Sequence, residues 1–517
     1  MPVRFSVTLA VMAASAASFA ANDGPIFLKL IAVYANIAGT HTTDAMAIRQ
    51  SSIAMMGSGM SNMSTARPTM ATIATPVRCA MNKNIASAIA IFILGLGLRL
   101  GRINYLSALG ITPLQASSQA IEYVLLGKGL LHTGGWSANY FVARPPLMPL
   151  LIAAVYATTG EAPLLVAIIN CLLGAATATI AFFYARQLLN DSRIAFVTGI
   201  LVAIDPASIS QNMTLQAETL TNFLLVLGTW QLAAALQSHR WRGFSLAGLL
   251  LGMAALARPT TVFFHLLCLP LLVLLVKKWA RMFLALAVLP TIMLLAWCTR
   301  NYYFFGEFTY STASDFNLLF YRAVSVERLA TKKNPDLIRR EFALEIEHRL
   351  GNTFTLDEVD SGYYWNNFAP ADSHRVRRMR DLALQAYWAH PIEYFATLPI
   401  GLYRMYAFSA AYGSPYFPEL VFNLGLYALA VLGAYHAWRK QQRLTWAVNG
   451  LLISYVTLAT LISQTSRVDT RMRTSITFAL AILAAVGSTW LWDVFRRSNE
   501  SRRLFNCSTN ANVHYPN

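Results

Sequence analysis

From Asn84 onward the chain alternates long apolar runs with short polar turns. The runs fall at about 84–100, 165–186, 194–210, 217–236, 243–257, 260–276, 282–298, 417–437, 444–463 and 474–492. Most approach the ~20 apolar residues that cross a bilayer core. Lipid offers no partner to backbone N–H and C=O groups, so a spanning run must satisfy them internally as a helix. The pattern therefore predicts an all-α, polytopic transmembrane helical bundle of about ten spans.

Two apolar runs do not fit as spans. Segment 145–158 begins with Pro145, Pro146 and Pro149 and is short, and 394–412 is interrupted by Pro399 and Arg404 and is rich in aromatics. Both read as interfacial helices. They belong to two polar regions, 101–163 and 299–416. Within the second, 336–350 and 376–389 repeat with helical period and read as amphipathic helices. A structured loop of this length is usually functional.

These breaks suggest five segments. They are an atypical 1–80, a transmembrane module 81–298 with first outer loop 101–163, a large outer loop region 299–416, C-terminal spans 417–497 and a cytoplasmic tail 498–517. Residues 1–21 resemble a secretory signal, with Arg4, an apolar stretch and small residues. A start annotated too early, with the working protein beginning near Met81, is the preferred reading. No function is placed there.

Composition agrees with the pattern. Hydrophobic residues make up 56% and charged residues 13%, about half the usual charge of a soluble domain. The formal net charge of +17 does not call for nucleic acid, because the basic residues gather at span ends. Arg186 and Arg193, His239 to Arg242, Lys277 to Arg281, Arg439 to Arg443 and the C-terminal arginines all fall on one side if the first span runs outward. The expected location is the inner (plasma) membrane, with both outer loops facing the periplasm. The five cysteines show no CxxC pair, and Cys171, Cys268 and Cys298 read as packing residues in apolar helices.

Charges near lipid depth are costly and carry the functional expectation. Glu122, Arg144, Glu218, Arg258, Arg300 and the cluster Arg467, Asp469, Arg471 and Arg473 all fall on the outer side of this topology. Any single arginine is explained by snorkelling, and Glu218 by a first-turn acid favouring a helix N-terminus. Together they suggest more. Arginines hold phosphate through charge-assisted, bidentate hydrogen bonds, and a nearby carboxylate can take a proton from a hydroxyl or amine. That set suits attack on a sugar carbon whose leaving group is a lipid phosphate, and it equally suits an anion transporter. No histidine shows metal-site spacing. Asp357, Glu358 and Asp360 leave room for a divalent cation, although a solvated acidic loop is the plainer reading.

The ordered motifs carry a resemblance. They are Arg144, Pro145, Pro146, Leu147; then Gln216, Ala217, Glu218, Thr219; then Gly248 through Gly252 to Arg258 and Pro259; then Trp297, Arg300, Asn301 and Gly306. From about 84 to 497 the chain resembles the bacterial branch of the GT-C glycosyltransferases, which includes protein-mannosyltransferase-like enzymes and aminoarabinose transferases. The resemblance implies a polyprenyl-phosphate-linked sugar as donor. It also implies a lipid, glycan or protein acceptor and periplasmic transfer, usually inverting. In this family a carboxylate in the first outer loop commonly stands four residues before a tyrosine. Here Gln119 holds that place before Tyr123, and Glu122 lies three residues on, where it shares a helical face with Gln119. The resemblance assigns Glu122 and Glu218 as catalytic carboxylates. It assigns Gln119, Tyr123, Arg144, Arg258, Arg300, Asn301, Arg467 and Arg471 to the substrate and its lipid phosphate. A catalytically inactive relative, a transporter or flippase of polyprenyl-linked or anionic substrates, and an envelope-complex subunit remain as alternatives. A transporter predicts paired broken helices at mid-membrane.

Overall fold

The computed structural model describes residues 70–132, 140–359, 367–368, 370–409, 415–465 and 468–511. The chain divides into two compact units, Met1–Arg78 and Cys79–Asn517, and the second is the subject below. The signal-like segment 1–21 falls outside the described residues, and Met81, near the alternative start, lies in a stretch whose backbone is helical.

Helices follow one another along the described chain. They are α1 (Met70–Ala108), α2 (Ser118–His132), α3 (Tyr140–Ala143), α4 (Leu147–Thr159), α5 (Pro163–Leu189), α6 (Ser192–Ile204) and α7 (Pro206–Gln211). Next come α8 (Glu218–Ser238), α9 (Trp241–Ala257), α10 (Phe264–Leu267), α11 (Leu269–Leu275) and α12 (Trp279–Phe305). The polar region after α12 adds α13 (Ala313–Phe316), a π-helical turn Asn317–Ala323, α14 (Val324–Thr331), α15 (Pro335–Arg349), α16 (Ser373–Ala389) and α17 (Pro391–Ala407). Helices α18 (Phe417–Arg439), α19 (Arg443–Ser463), α20 (Thr470–Arg473) and α21 (Thr477–Ala511) complete the chain. The protein is an all-α, multi-pass membrane bundle.

Among the described residues, seven helical stretches are long and apolar enough to span, from Lys83–Ala108 to Thr470–Ser498. The other three predicted spans are shorter or broken. The run 194–210 stops at Ile204 because Asp205 turns extended and caps a new helix, accepting from the Ser208 amide at 3.1 Å. Pro206 then occupies the first turn of α7, where its missing N–H costs nothing. The run 260–276 breaks into a 3-10 turn, α10 and α11, around Pro259 and Pro270. The run 243–257 forms all of α9 but stops at Arg258 and Pro259, at 17 residues. The two segments read from the sequence as interfacial form helices α4 and α17, and those read as amphipathic form α15 and α16.

Packing in the bundle rests on small residues. Gly248 lies against the Leu286 carbonyl and Gly252 against Pro290, bringing α9 onto α12. Gly433 and Gly487 do the same for α18 and α21, each against a backbone carbonyl of the other helix. The polar region between α12 and α18 has its own hydrophobic cluster, with Phe316, Phe320, Phe368, Val376 and Met379 at its centre. Ion pairs Arg375–Glu347 (2.9 Å) and Arg380–Asp315 (2.9 Å) border it.

Candidate functional site

Helix α2 carries Glu122 and Tyr123 one turn inside its start, and both are buried. Arg144 stands just before α4, where Pro145 and Pro146 keep the chain out of helix. Its Nε donates to Glu122 Oε2 at 2.8 Å, and its guanidinium lies 5.6 Å from the centre of the Tyr123 ring. Burial alone would make Arg144 easier to deprotonate, but the adjacent Glu122 carboxylate outweighs it and holds the guanidinium more firmly charged. Burial pushes the Tyr123 phenol above its ordinary 10, so it stays a neutral donor. The same phenol feels Arg144, Glu218, Arg258 and Glu122, which places it among all four charges.

Glu218 opens α8, where the helix N-terminus favours an acid. It faces two arginines: Arg258 Nη1 at 3.3 Å and Arg471 Nε at 3.7 Å. Arg258 sits extended between α9 and the following 3-10 turn. Arg471 lies in α20, whose N-cap Asp469 accepts from the Arg471 amide at 2.9 Å. Arg471 Nη1 also donates to Gln216 Oε1 at 3.4 Å, and Gln216 in turn bonds Ser117 just ahead of α2. Tyr321, from the π-helical turn, lies near enough to Arg144 and Arg471 to interact with both electrostatically. Two carboxylates and three guanidiniums thus meet beside Tyr123.

Not every predicted residue joins them. From Pro290 onward the buried positions of α12 are Pro290, Leu294, Trp297 and Asn301, a helical stripe that turns Arg300 aside. Arg300 lies over the rings of Trp297, Phe304 and Phe305 at 4.9–5.1 Å, and its Nη1 donates to Asn301 Oδ1 at 2.8 Å. Asn301 is a fastener, donating to the Thr309 and Tyr310 carbonyls at 2.8 and 3.3 Å. Tyr310 then donates to the Ala255 carbonyl, so this end of α12 still adjoins the Arg258 turn. Arg467 and the Gln119 side chain lie outside the described residues, as does Asp360. Glu358 caps its own turn, accepting from Thr355 N and Oγ1 at 2.6 and 2.8 Å. Among the described residues, no three His, Cys, Asp or Glu side chains group as a metal site.

A second polar layer was not anticipated. Directly behind Glu218 and Arg471, Arg473 Nη2 donates to Asp205 Oδ1 at 2.6 Å, with both side chains fully buried. Thr477 joins them by donating to Asp205 Oδ2 at 3.2 Å. Arg99 of α1, 1% exposed, donates to Asn212 Oδ1 at 2.8 Å and to the Gly95 and Ala203 carbonyls. Asn212 donates to Thr219 Oγ1 at 3.0 Å, next to Glu218. A cavity of about 20 Å³ remains in this layer, room for roughly one water. The signal for it was present in the sequence, since Asp205 followed by Pro206 is a helix-start pair inside an apolar run.

The arrangement is that of a polytopic membrane protein with a buried cluster of carboxylates and guanidiniums at one end of its bundle. Residues 143–300 match the family described as dolichyl-phosphate-mannose-protein mannosyltransferase. That segment holds Arg144, Glu218, Arg258 and Arg300. A search of curated proteins gives no match. Among solved structures, the oligosaccharyltransferase AglB of Archaeoglobus fulgidus is similar at 11% identity, covering 84% of this chain and 52% of that one, with a TM-score of 0.44. A second structure of the A. fulgidus enzyme is similar at 13% identity, covering 79% and 50%, with a TM-score of 0.46. ArnT of Cupriavidus metallidurans, bound to undecaprenyl phosphate, is similar at 15% identity, covering 79% and 77%, with a TM-score of 0.35. The chain spans about half the length of the archaeal structures it matches.

Proposed function

We propose that the chain is an integral-membrane glycosyltransferase. It moves a sugar from a polyprenyl-phosphate carrier to an acceptor on the periplasmic side of the plasma membrane, with inversion. The observation that carries this reading is Glu218 held between Arg258 and Arg471, beside the Glu122–Arg144 pair, at one end of an apolar bundle. The family matched over 143–300 is named for a dolichyl-phosphate sugar donor, which agrees with a lipid phosphate as leaving group.

In this reading the acceptor hydroxyl or amine attacks the anomeric carbon of the sugar. The new bond forms as the bond from that carbon to the phosphate oxygen breaks, and the electron pair stays on the phosphate. Arg258 and Arg471 stabilise that charge as it develops. The acceptor proton goes to a carboxylate, Glu122 or Glu218. Without phosphate each carboxylate is tied to a guanidinium. A lipid phosphate competes for the arginines and frees a carboxylate oxygen, so the base is released only when donor is bound. Tyr123, neutral and buried among the charges, donates a hydrogen bond to the phosphate or the sugar ring.

The test is to incubate the purified chain with a panel of polyprenyl-phosphate sugars and measure release of the lipid phosphate. Glu122→Gln or Glu218→Gln is expected to slow release by about 10²–10⁴-fold at the residue that serves as base. A variant with unchanged turnover removes that residue from the role. Unchanged turnover in both, or no release from any donor, contradicts the reading.

A further inference from the structure

Arg99 is the single charge in the apolar run 84–100. A guanidinium buried at such depth is costly unless its N–H groups are met. Gly174 of α5 makes room for it, since a Cβ there would stand 2.5 Å from Arg99 Nε and 2.7 Å from Asn212 Nδ2. Three of the five guanidinium N–H groups are met by protein oxygens. Nε donates to Asn212 Oδ1 at 2.8 Å, and Nη1 to the Gly95 and Ala203 carbonyls at 2.9 and 3.0 Å. Ala203 lies in the last turn of α6, the negative end of that helix's dipole. The two hydrogens of Nη2 have no partner among the described residues.

Arg99 lines the cavity of about 20 Å³ in the second polar layer, and Nη2 is the nitrogen it has left to offer there. Other polar lining groups offer oxygen. Thr177 and Thr474 spend their hydroxyl hydrogens on the Leu173 and Arg471 carbonyls, at 2.8 and 2.7 Å. Ser208 of α7 spends its hydrogen on Asp205 Oδ2. A hydroxyl so engaged has only lone pairs left. Asn222 of α8 also lines the cavity; it is 8% exposed, and its Oδ1 has no partner. The cavity thus joins an unmet donor to several acceptor oxygens.

We propose that this cavity binds one ordered water molecule. The water accepts from Arg99 Nη2 and donates to Asn222 Oδ1 and to one of the three hydroxyl oxygens. The lining selects the ligand. A metal cation would face the guanidinium, and an anion would face the lone pairs. A neutral molecule with both donors and acceptors suits the two together, and the volume admits one water and nothing larger. The water ties α1 to α8 one turn behind Glu218, because Asn222 follows Glu218 by four residues on the same helix face. The assignment is independent of the transfer reaction proposed above.

The experiment is a crystal structure of the full chain at a resolution that shows ordered waters, with a bromide soak and the Asn222→Leu variant beside it. The expected result is one density peak about 2.7–3.2 Å from both Arg99 Nη2 and Asn222 Oδ1. Bromide is expected to leave no anomalous peak there. In Asn222→Leu the water peak is expected to vanish, because the leucine removes an acceptor and fills its space. If that variant does not fold, the unaltered chain still decides, with and without bromide. A cavity without density, Nη2 bonded directly to a protein oxygen, bromide at the site, or a peak unchanged in Asn222→Leu would each overturn the assignment.

Discussion

At the residue scale, the chamber depends on charges placed where lipid would otherwise lie. The Asp205–Arg473 pair is the clearest instance, because neither side chain reaches solvent. Replacing such a pair with apolar groups can be neutral, whereas removing one partner leaves an uncompensated charge. Asp205→Ala is therefore expected to lower stability by about 3–5 kcal/mol. Asp205→Ala with Arg473→Met should recover much of that loss, both measured by thermal unfolding in detergent. If the double variant is no more stable than the single, the pair does not account for the cost. Residue roles were only partly legible in the sequence. Glu218, Arg258 and Arg471 stood out as charges at span ends, and the structure brings them within 4 Å. Arg300 stood out equally and lies elsewhere, because a helix turns about 100° per residue and one position decides which stripe a side chain joins. Asp205 and Arg473 were overlooked as partners because pairing across 268 positions has no local signature.

At the element scale, hydropathy located the helices and prolines located most of their breaks. The apolar runs 165–186, 417–437 and 444–463 correspond to α5, α18 and α19 within a few residues. The run 194–210 misled because its hydropathy continues through Asp205, while the backbone there follows capping and not hydropathy. The helix contacts themselves follow from glycine. A Cβ at Gly433 would enter the Leu483 carbonyl, and rigid backbone cannot yield. Gly433→Leu is expected to force α18 from α21 and to destabilise the bundle by about 1–3 kcal/mol or more. Gly450, with open space around its position, is the control, and Gly450→Ala should be near neutral. Equal stability of the Gly433 and Gly450 variants would show that the crossing is looser than described. The polar region between α12 and α18 is fastened to the same bundle. Arg322 of the π-helical turn donates to Thr465 Oγ1 at 2.5 Å and to the Tyr394 carbonyl at 3.2 Å. Arg404 of α17 donates to the Val468 carbonyl at 3.2 Å. Helix α17, the π-helical turn and the segment leading into α20, which bears Arg471, are thereby joined.

At the scale of the whole molecule, the second unit separates two charge-bearing ends with an apolar middle. The end near Glu218 gathers acids with arginines in a buried chamber. The end near Lys440 carries exposed cations, aromatics and an open cavity. Basic clustering in the sequence gave this polarity its direction, and the proposed periplasmic placement of the chamber follows from it. The central claim is that Arg258 and Arg471 receive a lipid phosphate and release Glu218. An experimental structure of the protein with polyprenyl phosphate bound tests it most directly. The account predicts phosphate oxygens within about 3 Å of both guanidiniums, with the Glu218 carboxylate withdrawn from at least one of them. A phosphate seated away from these arginines, or one bound with both Glu218 contacts unchanged, would contradict it.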